Sequence, residues 1–230
     1  MISLTFSVLS CAEKKLKVEC LSDKQPSTKA LLILPEIWGI NLHIQEIAEQ
    51  YLELGFDVFL PDIYWRQQED VNLNYDESDT DIARKLYTNL DLLQTSQDID
   101  QVIDFIFKLN KNYKLAVLGF CLGATPTYQL KHPKISAVIA YYGSQISKLL
   151  PAIQELEKPI LFHLAENDHL ITKAEIESIE DLSSSKPNVK IYCYSNTRHG
   201  FNCPYRSNYS LEASEIAFKI SRFFLIENMV

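Results

Sequence analysis

The sequence predicts an α/β protein with a mostly parallel central sheet, helices on both faces and an antiparallel hairpin at one edge. Three observations support this prediction. Several short apolar runs are continuous, as in strands covered on both faces, and stretches with helical spacing separate them. The first segment instead alternates apolar and polar residues, which is typical of a hairpin strand. The 230 residues show no linker, repeat or low-complexity tract, so we predict one domain over residues 1–230.

The N-terminal half begins with the predicted hairpin, in which Ala12 to Lys14 form the turn. Asn41 is a helix-capping residue type and is followed by an apolar stripe from Ile44 to Leu52, so a helix is predicted that ends at Gly55. Residues 63–80 are polar and irregular and predict a surface or active-site loop. The predicted strands of this half cover residues 2–8, 16–20, 30–34 and 56–60.

The second half continues the alternation of helices and strands. One helical pattern runs through Ile82, Leu86, Leu90 and Leu93, and the next extends from Ile99 to Leu109. The predicted strands here cover residues 114–118, 136–141, 159–164 and 189–194, and residues 209–228 predict a closing amphipathic helix. Repeated strand–helix units favour parallel strands with helices on both faces.

Composition and charge exclude several classes of function. Lys and Arg total 22 against 30 Asp and Glu, a net charge of −8, and no basic stripe is present. This argues against binding to nucleic acid or to an anionic membrane. No apolar run reaches 18 residues, and the first residues alternate, unlike an export signal. The five cysteines are odd in number and lack metal-type spacing, which predicts reduced thiols in a cytoplasmic protein.

The segment around Cys121 is the most informative in the chain. A buried strand runs into Gly119-Phe120-Cys121-Leu122-Gly123, which has the G-x-S-x-G spacing of a nucleophile elbow with cysteine in place of serine. Small residues are needed on both sides because the turn is sharp, and a helix is predicted to follow and stabilise negative charge. Only six glycines occur in the chain, so two of them bracketing a cysteine after a strand favours a nucleophile over a buried structural thiol.

A nucleophile of this kind needs a base and an acid that orients it, in the chain order Cys, Asp, His. Asp168 follows the predicted strand at residues 159–164, and His199 follows the last predicted strand. Both therefore lie at the carboxyl edge of the sheet, where open α/β sheets bind ligands. Three other residues remain as rivals for these two roles: Glu166, His163 and His169.

An ordered set of motifs resembles the dienelactone hydrolase family. The set spans residues from about 30 to the C-terminal helix and comprises Pro35-Glu36-Ile37-Trp38-Gly39, Pro61-Asp62-Ile63-Tyr64, Gly119-Phe120-Cys121-Leu122-Gly123, Tyr141-Tyr142-Gly143, Asn167-Asp168 and His199-Gly200-Phe201. The resemblance implies an α/β-hydrolase fold and hydrolysis of a lactone or small activated ester through an acyl-enzyme, with no metal and no cofactor.

The resemblance also implies roles for individual residues. Cys121 is the expected nucleophile, His199 the base and then the acid, and Asp168 the residue that orients the imidazole. Glu36 matches the family's carboxylate, which contacts the resting thiol and helps to generate the thiolate. A helix-terminal glutamate is the alternative for Glu36. The backbone N–H groups of Ile37 and Leu122 are expected to bind the oxyanion, and Trp38 and Tyr87 are expected to line the pocket.

Recognition of a substrate carboxylate is where the chain departs from the family. In the chlorocatechol-pathway members of the family, two arginines bind the substrate's carboxylate. At the position of the first arginine this chain has Thr80 or a neighbour, with Arg84 one helical turn away, and at the position of the second it has Cys203. Arg206 could substitute, or it could be a solvated surface arginine. A general carboxylesterase or thioesterase with the same triad, and a non-catalytic binding module, are the alternative functions. The expected partner is a small-molecule substrate, and the expected state is a monomer or a weak homo-oligomer.

Overall fold

The structure, a computed structural model, describes residues 1–11, 13–23, 25 and 27–229. The chain divides into two compact units, Met1–Leu115 and Ala116–Val230. The predicted turn residue Ala12 lies outside the described residues, and the prediction of one domain over residues 1–230 stays a prediction.

The described residues of the first unit form four complete strands. They are β1 (Ile2–Cys11), β2 (Lys14–Ser22), β3 (Lys29–Leu34) and β4 (Asp57–Pro61), and their spatial order is β1-β2-β4-β3. The pairs β1/β2 and β2/β4 are antiparallel, whereas β3/β4 is parallel. The predicted hairpin is therefore confirmed. The residues of β4 and all but the first of β3 are buried, as continuous apolar runs predict.

The helices in the described part of the first unit are α1 (Leu42–Glu53), α2 (Glu77–Thr88) and α3 (Leu92–Leu109). The predicted start of α1 is confirmed, because the Asn41 side chain accepts a hydrogen bond from the backbone N–H of Ile44. The helix ends before Gly55, whose φ is +84°.

Two predictions in this unit are wrong at their boundaries. The irregular loop ends at Asp76, not at residue 80, because the Asp76 carboxylate accepts the backbone N–H of Asp79 and starts α2. The pattern through Leu90 and Leu93 is not one helix. The chain breaks after α2, and the Asp91 side chain then caps α3. The apolar spacing happens to continue across this break, so periodicity alone does not reveal it.

The boundary between the two units falls within β5 (Lys114–Phe120), and most of this strand belongs to the second unit. The other strands of the second unit are β6 (Ile135–Tyr141), β7 (Ile160–Ala165) and β8 (Val189–Tyr194). The pairs β6/β7 and β7/β8 are parallel. The helices are α4 (Ala124–Thr127), α5 (Ile146–Glu155), α6 (Lys173–Ser185) and α7 (Leu211–Asn228). The predicted α/β class, with mostly parallel strands and an antiparallel N-terminal hairpin, is confirmed.

Two helix predictions in the second unit need correction. The closing helix begins at Leu211, not at residue 209, because the Ser210 hydroxyl caps the backbone N–H of Ala213. The helix expected after Cys121 is only a 3₁₀ turn followed by the four residues of α4. Because α4 is so short, its macrodipole is weak and does not explain how negative charge at Cys121 would be stabilised. In the described part of the chain, no helix combines the length and the apolar character that crossing a membrane requires.

Candidate active site

Cys121 lies in a sharp turn at the end of β5. Its φ is +50°, a left-handed conformation that residues with side chains rarely adopt. Gly119 has to be a glycine, because a Cβ at this position would lie 2.4 Å from the carbonyl oxygen of Gly123 and 2.5 Å from the Cα of Ala124. The chain folds back on itself here, and this close approach gives the steric reason for a glycine two residues before Cys121.

Cys121, His199 and Asp168 form a continuous chain of polar contacts within the second unit. The Nε2 atom of His199 lies 3.1 Å from the Sγ atom of Cys121. The Nδ1 atom of the same ring lies 2.8 Å and 3.1 Å from the two carboxylate oxygens of Asp168. The side chains of His199 and Asp168 are almost completely buried, and Cys121 is partly exposed. This is the geometry of a nucleophile, a base and an orienting acid.

The loops after β7 and β8 hold the acid and the histidine together. The backbone N–H of Asn167, beside Asp168, donates to the carbonyl oxygen of Thr197 at 3.0 Å. The Thr197 hydroxyl in turn donates to the carbonyl oxygen of Tyr194, the last residue of β8. One oxygen of Asp168 also accepts the backbone N–H of Leu170 at 2.8 Å. Because β7 and β8 are parallel neighbours, both loops leave the sheet at the same edge, as the sequence predicts.

The environment of His199 favours its charged form. Burial lowers the pKa of His199, but the negative charge of Cys121 and the hydrogen bonds with Asp168 and Cys121 outweigh burial and raise the pKa to about 10. The ring of Tyr142 packs edge-on against His199, with ring centroids 5.1 Å apart.

The rival residues have other contacts. The Glu166 carboxylate is exposed and accepts the backbone N–H of Asn196. His163 is fully buried in β7 between the Tyr194 hydroxyl and the Ser221 hydroxyl, at 2.8 Å from each. Burial lowers the pKa of His163 to about 3, so this ring is a neutral core residue. His169 is exposed, and its ring meets that of His199 at a centroid distance of 5.6 Å.

Glu36 and its neighbours belong to the first unit, directly after β3. The Glu36 side chain is fully buried, and its Oε2 atom accepts a hydrogen bond from the Tyr75 hydroxyl at 2.9 Å. Trp38 is buried, packs against the Tyr75 ring at 4.7 Å, and donates its indole N–H to the Thr80 hydroxyl at 3.2 Å. Ile37 between them is half-buried. Thr80 thus presents a neutral hydroxyl that contacts Trp38.

Arg84 and Arg206 differ in their exposure and in their contacts. Arg84 on α2 is exposed and pairs with Asp81, so it faces solvent. Arg206 is half-buried, and its guanidinium lies against Gly200, the neighbour of His199. A Cβ at Gly200 would fall 2.0 Å from Nη1 of Arg206, so only glycine lets the guanidinium lie there. Tyr87 lies on α2 and is 36% exposed.

Two residues of this region were not identified from the sequence. Tyr142 is the ring that packs on His199, and it has a positive φ of +40°. Its presence in the Tyr141-Tyr142-Gly143 motif was the available signal. Tyr75 lies in the polar segment before α2 and has no motif or spacing that distinguishes it, so only the fold reveals its contact with Glu36.

Residues 17–226 match the family model described as the dienelactone hydrolase family. The chain is 26% identical over 194 residues to carboxymethylenebutenolidase 1 of Cupriavidus pinatubonensis, which covers 83% of this chain and 82% of that protein. It is 25% identical over 190 residues to the carboxymethylenebutenolidase of Pseudomonas putida, covering 81% and 80%.

Solved structures with low sequence identity share the fold. A dienelactone hydrolase-like promiscuous phosphotriesterase from metagenomic libraries superposes with a TM-score of 0.78 at 15% identity and covers 99% of both chains. A dienelactone hydrolase from Anabaena variabilis superposes with a TM-score of 0.72 at 14% identity, covering 100% of this chain and 99% of that chain.

Proposed function

The chain belongs to the dienelactone hydrolase family, and from this premise we propose that it hydrolyses a lactone or a small activated ester with Cys121 as the nucleophile. The observation that supports the proposal is the contact chain from the Cys121 sulfur through His199 to the Asp168 carboxylate, with distances of 3.1 Å and 2.8 Å. The relatives are named as carboxymethylenebutenolidases, which is consistent with a lactone substrate.

The proposed reaction has two steps. The Cys121 thiolate attacks the carbonyl carbon, and the C–O bond of the ester breaks while Nε2 of His199 gives its proton to the leaving oxygen. Water then attacks the thioester, Nε2 accepts a proton from this water, and the thiolate leaves. The carboxylic acid product is released, and the thiolate and the protonated His199 with which the first step began are restored. For a lactone, acid and leaving group remain joined in one product.

Asp168 keeps the imidazole in the orientation that this proton transfer needs, because it binds Nδ1 while Nε2 faces the sulfur. The backbone N–H groups of Leu122 and Ile37 are proposed to bind the oxyanion, by resemblance to the family. Glu36, whose side chain is fully buried, is proposed to help generate the thiolate, by resemblance to the family. Trp38 and Tyr87 are proposed to line the pocket.

Cysteine suits substrates with good leaving groups, such as enols and phenols, better than unactivated amides. An enol lactone or an aryl ester is therefore the expected substrate class, and a peptide is not. Hydrolysis of a panel of enol lactones, aryl esters and acyl thioesters at matched acyl length ranks the lactonase against the thioesterase alternative. If the fully reduced protein hydrolyses none of them, the binding module replaces the enzyme.

Replacement of the nucleophile is the direct test. Cys121→Ala should abolish hydrolysis and the acyl adduct that mass spectrometry detects on the wild-type protein after rapid quenching. Cys193→Ala is the matched control, because this thiol is also free but lies exposed on β8, and it should keep wild-type activity. Retained turnover in Cys121→Ala would remove the assignment of the nucleophile.

Arg206 is proposed as the cation for a substrate carboxylate, because its guanidinium lies beside the residue that follows His199. Arg206→Ala should raise KM for an ester with a free carboxylate about tenfold and leave KM for its methyl ester unchanged. Arg84→Ala, which removes an exposed arginine paired with Asp81, is the control. Equal KM values of wild type and Arg206→Ala for the anionic ester would dismiss this role.

A further inference from the structure

A close approach of two backbone segments brings Tyr75 to Glu36. Gly39 has a φ of +74°, and a Cβ there would lie 2.1 Å from the carbonyl oxygen of Val71. Glycine therefore permits the segment 71–75 to lie directly against the segment 38–41. An isolated β-bridge between Gly39 and Asn72 marks the contact.

Three hydrogen bonds hold these two segments together. The backbone N–H of Ile40 donates to the carbonyl oxygen of Val71 at 3.0 Å, and the backbone N–H of Leu73 donates to that of Trp38 at 3.0 Å. The Asn41 side-chain amide donates to the carbonyl oxygen of Leu73 at 3.2 Å. The segment that leads to Tyr75 is thus fixed on both sides of the bridge.

At the end of this segment, the Tyr75 hydroxyl donates to the Oε2 atom of Glu36 at 2.9 Å. Glu36 is fully buried, so a hydrogen bond to its carboxylate is formed away from bulk water and restricts the orientation of the group. The Trp38 ring packs on the Tyr75 ring, and Trp38 is itself bound to Thr80 on α2. Tyr75 therefore contacts both the Glu36 carboxylate and the Trp38 ring.

From this geometry we propose that Tyr75 is a positioning residue whose hydroxyl fixes the orientation of the Glu36 carboxylate. The inference rests on the proposed function, in which Glu36 helps to generate the thiolate. In this proposal Tyr75 acts through the Glu36 carboxylate. Loss of the Tyr75 hydroxyl should therefore lower kcat, and only when Glu36 is present.

Tyr75→Phe is the test, because it removes only the hydroxyl and keeps the ring that packs on Trp38. We expect kcat for the best ester of the panel to fall about tenfold, the usual effect of losing a hydrogen bond to a charged group, with KM changed less than twofold. In a Glu36→Gln background the same substitution should change kcat by less than twofold.

Tyr113→Phe is the matched control. The Tyr113 hydroxyl also donates to a buried carboxylate of the first unit, Asp57, at 2.5 Å, and Tyr113 is likewise half-buried. This variant should keep the wild-type kcat. Circular dichroism and the urea midpoint of each variant verify that it is folded.

Alkylation of Cys121 by iodoacetamide, followed by mass spectrometry, gives a second measurement that needs no turnover. We expect slower alkylation in Tyr75→Phe than in wild type and in Tyr113→Phe, and equal rates with and without the Tyr75 hydroxyl when residue 36 is glutamine. Unchanged kcat and alkylation in Tyr75→Phe would overturn the inference, as would an equal loss in the Glu36→Gln background. Failure of the proposed function itself is distinct, because activity would then persist in Cys121→Ala or be missing from wild type.

Discussion

Gly39→Ala tests whether the close approach of the segments at 38–41 and 71–75 needs a glycine. An alanine at a φ of +74° is strained by about 1–2 kcal/mol. Its Cβ would also lie 2.1 Å from the Val71 carbonyl oxygen and 2.8 Å from the carbonyl carbon, so main chain has to move. Such overpacking adds about 1–3 kcal/mol. Together they predict a loss of about 2–5 kcal/mol in the free energy of unfolding.

Gly55→Ala separates the two contributions. Gly55 has a φ of +84°, and no atom lies within 4 Å of the point that a Cβ would occupy, so its replacement has the backbone strain without the collision. We expect this variant to lose about 1–2 kcal/mol. Urea unfolding followed by circular dichroism, with equal m-values, measures both losses. Gly39→Ala should also lower kcat, because the displaced segment ends in Tyr75, whereas Gly55→Ala should not. Equal losses of stability in the two variants would refute the steric argument.

Three further predictions concern other side chains. Asp168→Asn should lower kcat about 10³–10⁴-fold with KM little changed, because the amide no longer orients the His199 ring; a loss below tenfold in a steady-state assay would contradict this. Burial raises the pKa of Asp62 from its ordinary 3.8 to about 6, so its contribution to stability is lost as the pH rises from about 4 to 6. The free energy of unfolding of Asp62→Asn minus that of wild type, from urea titrations, should therefore rise by about 2 kcal/mol between pH 4 and pH 6, and a flat difference would refute it. Asp98→Ala removes the buried acceptor of the Trp65 indole N–H and the Arg66 guanidinium, and it should reduce the free energy of unfolding by about 2 kcal/mol in thermal or urea unfolding. Asp81→Ala, which removes one partner of an exposed ion pair, is the control, and its free energy of unfolding should differ from that of wild type by about 0 kcal/mol.

The parts of the fold that depend on local pattern could be predicted from the sequence. The continuous apolar run at residues 30–34 is the buried β3, and Asn41 caps α1 as its side-chain chemistry indicates. The break between α2 and α3 was missed because apolar residues keep a helical spacing across it. The capping carboxylates of Asp76 and Asp91 were the usable signal.

The candidate site also has a part that the sequence predicts and a part that it does not. Cys121, Asp168 and His199 follow strands, so the position of each after a strand end suffices to place them at one edge. The contact of Tyr75 with Glu36 joins residues 39 positions apart in the sequence and depends on a bridge at Gly39. No local rule of sequence expresses such a contact, because it results from the packing of two irregular segments.

The left-handed backbone at Cys121 limits which side chains this position can carry. Serine has the same unbranched Cβ as cysteine and is sterically admissible there, so a change between thiol and hydroxyl chemistry needs one substitution and no remodelling of the turn. Threonine also carries a hydroxyl, but its branched Cβ makes a positive φ a genuine outlier. An alcohol-dependent descendant of this protein would therefore be expected to carry serine at position 121.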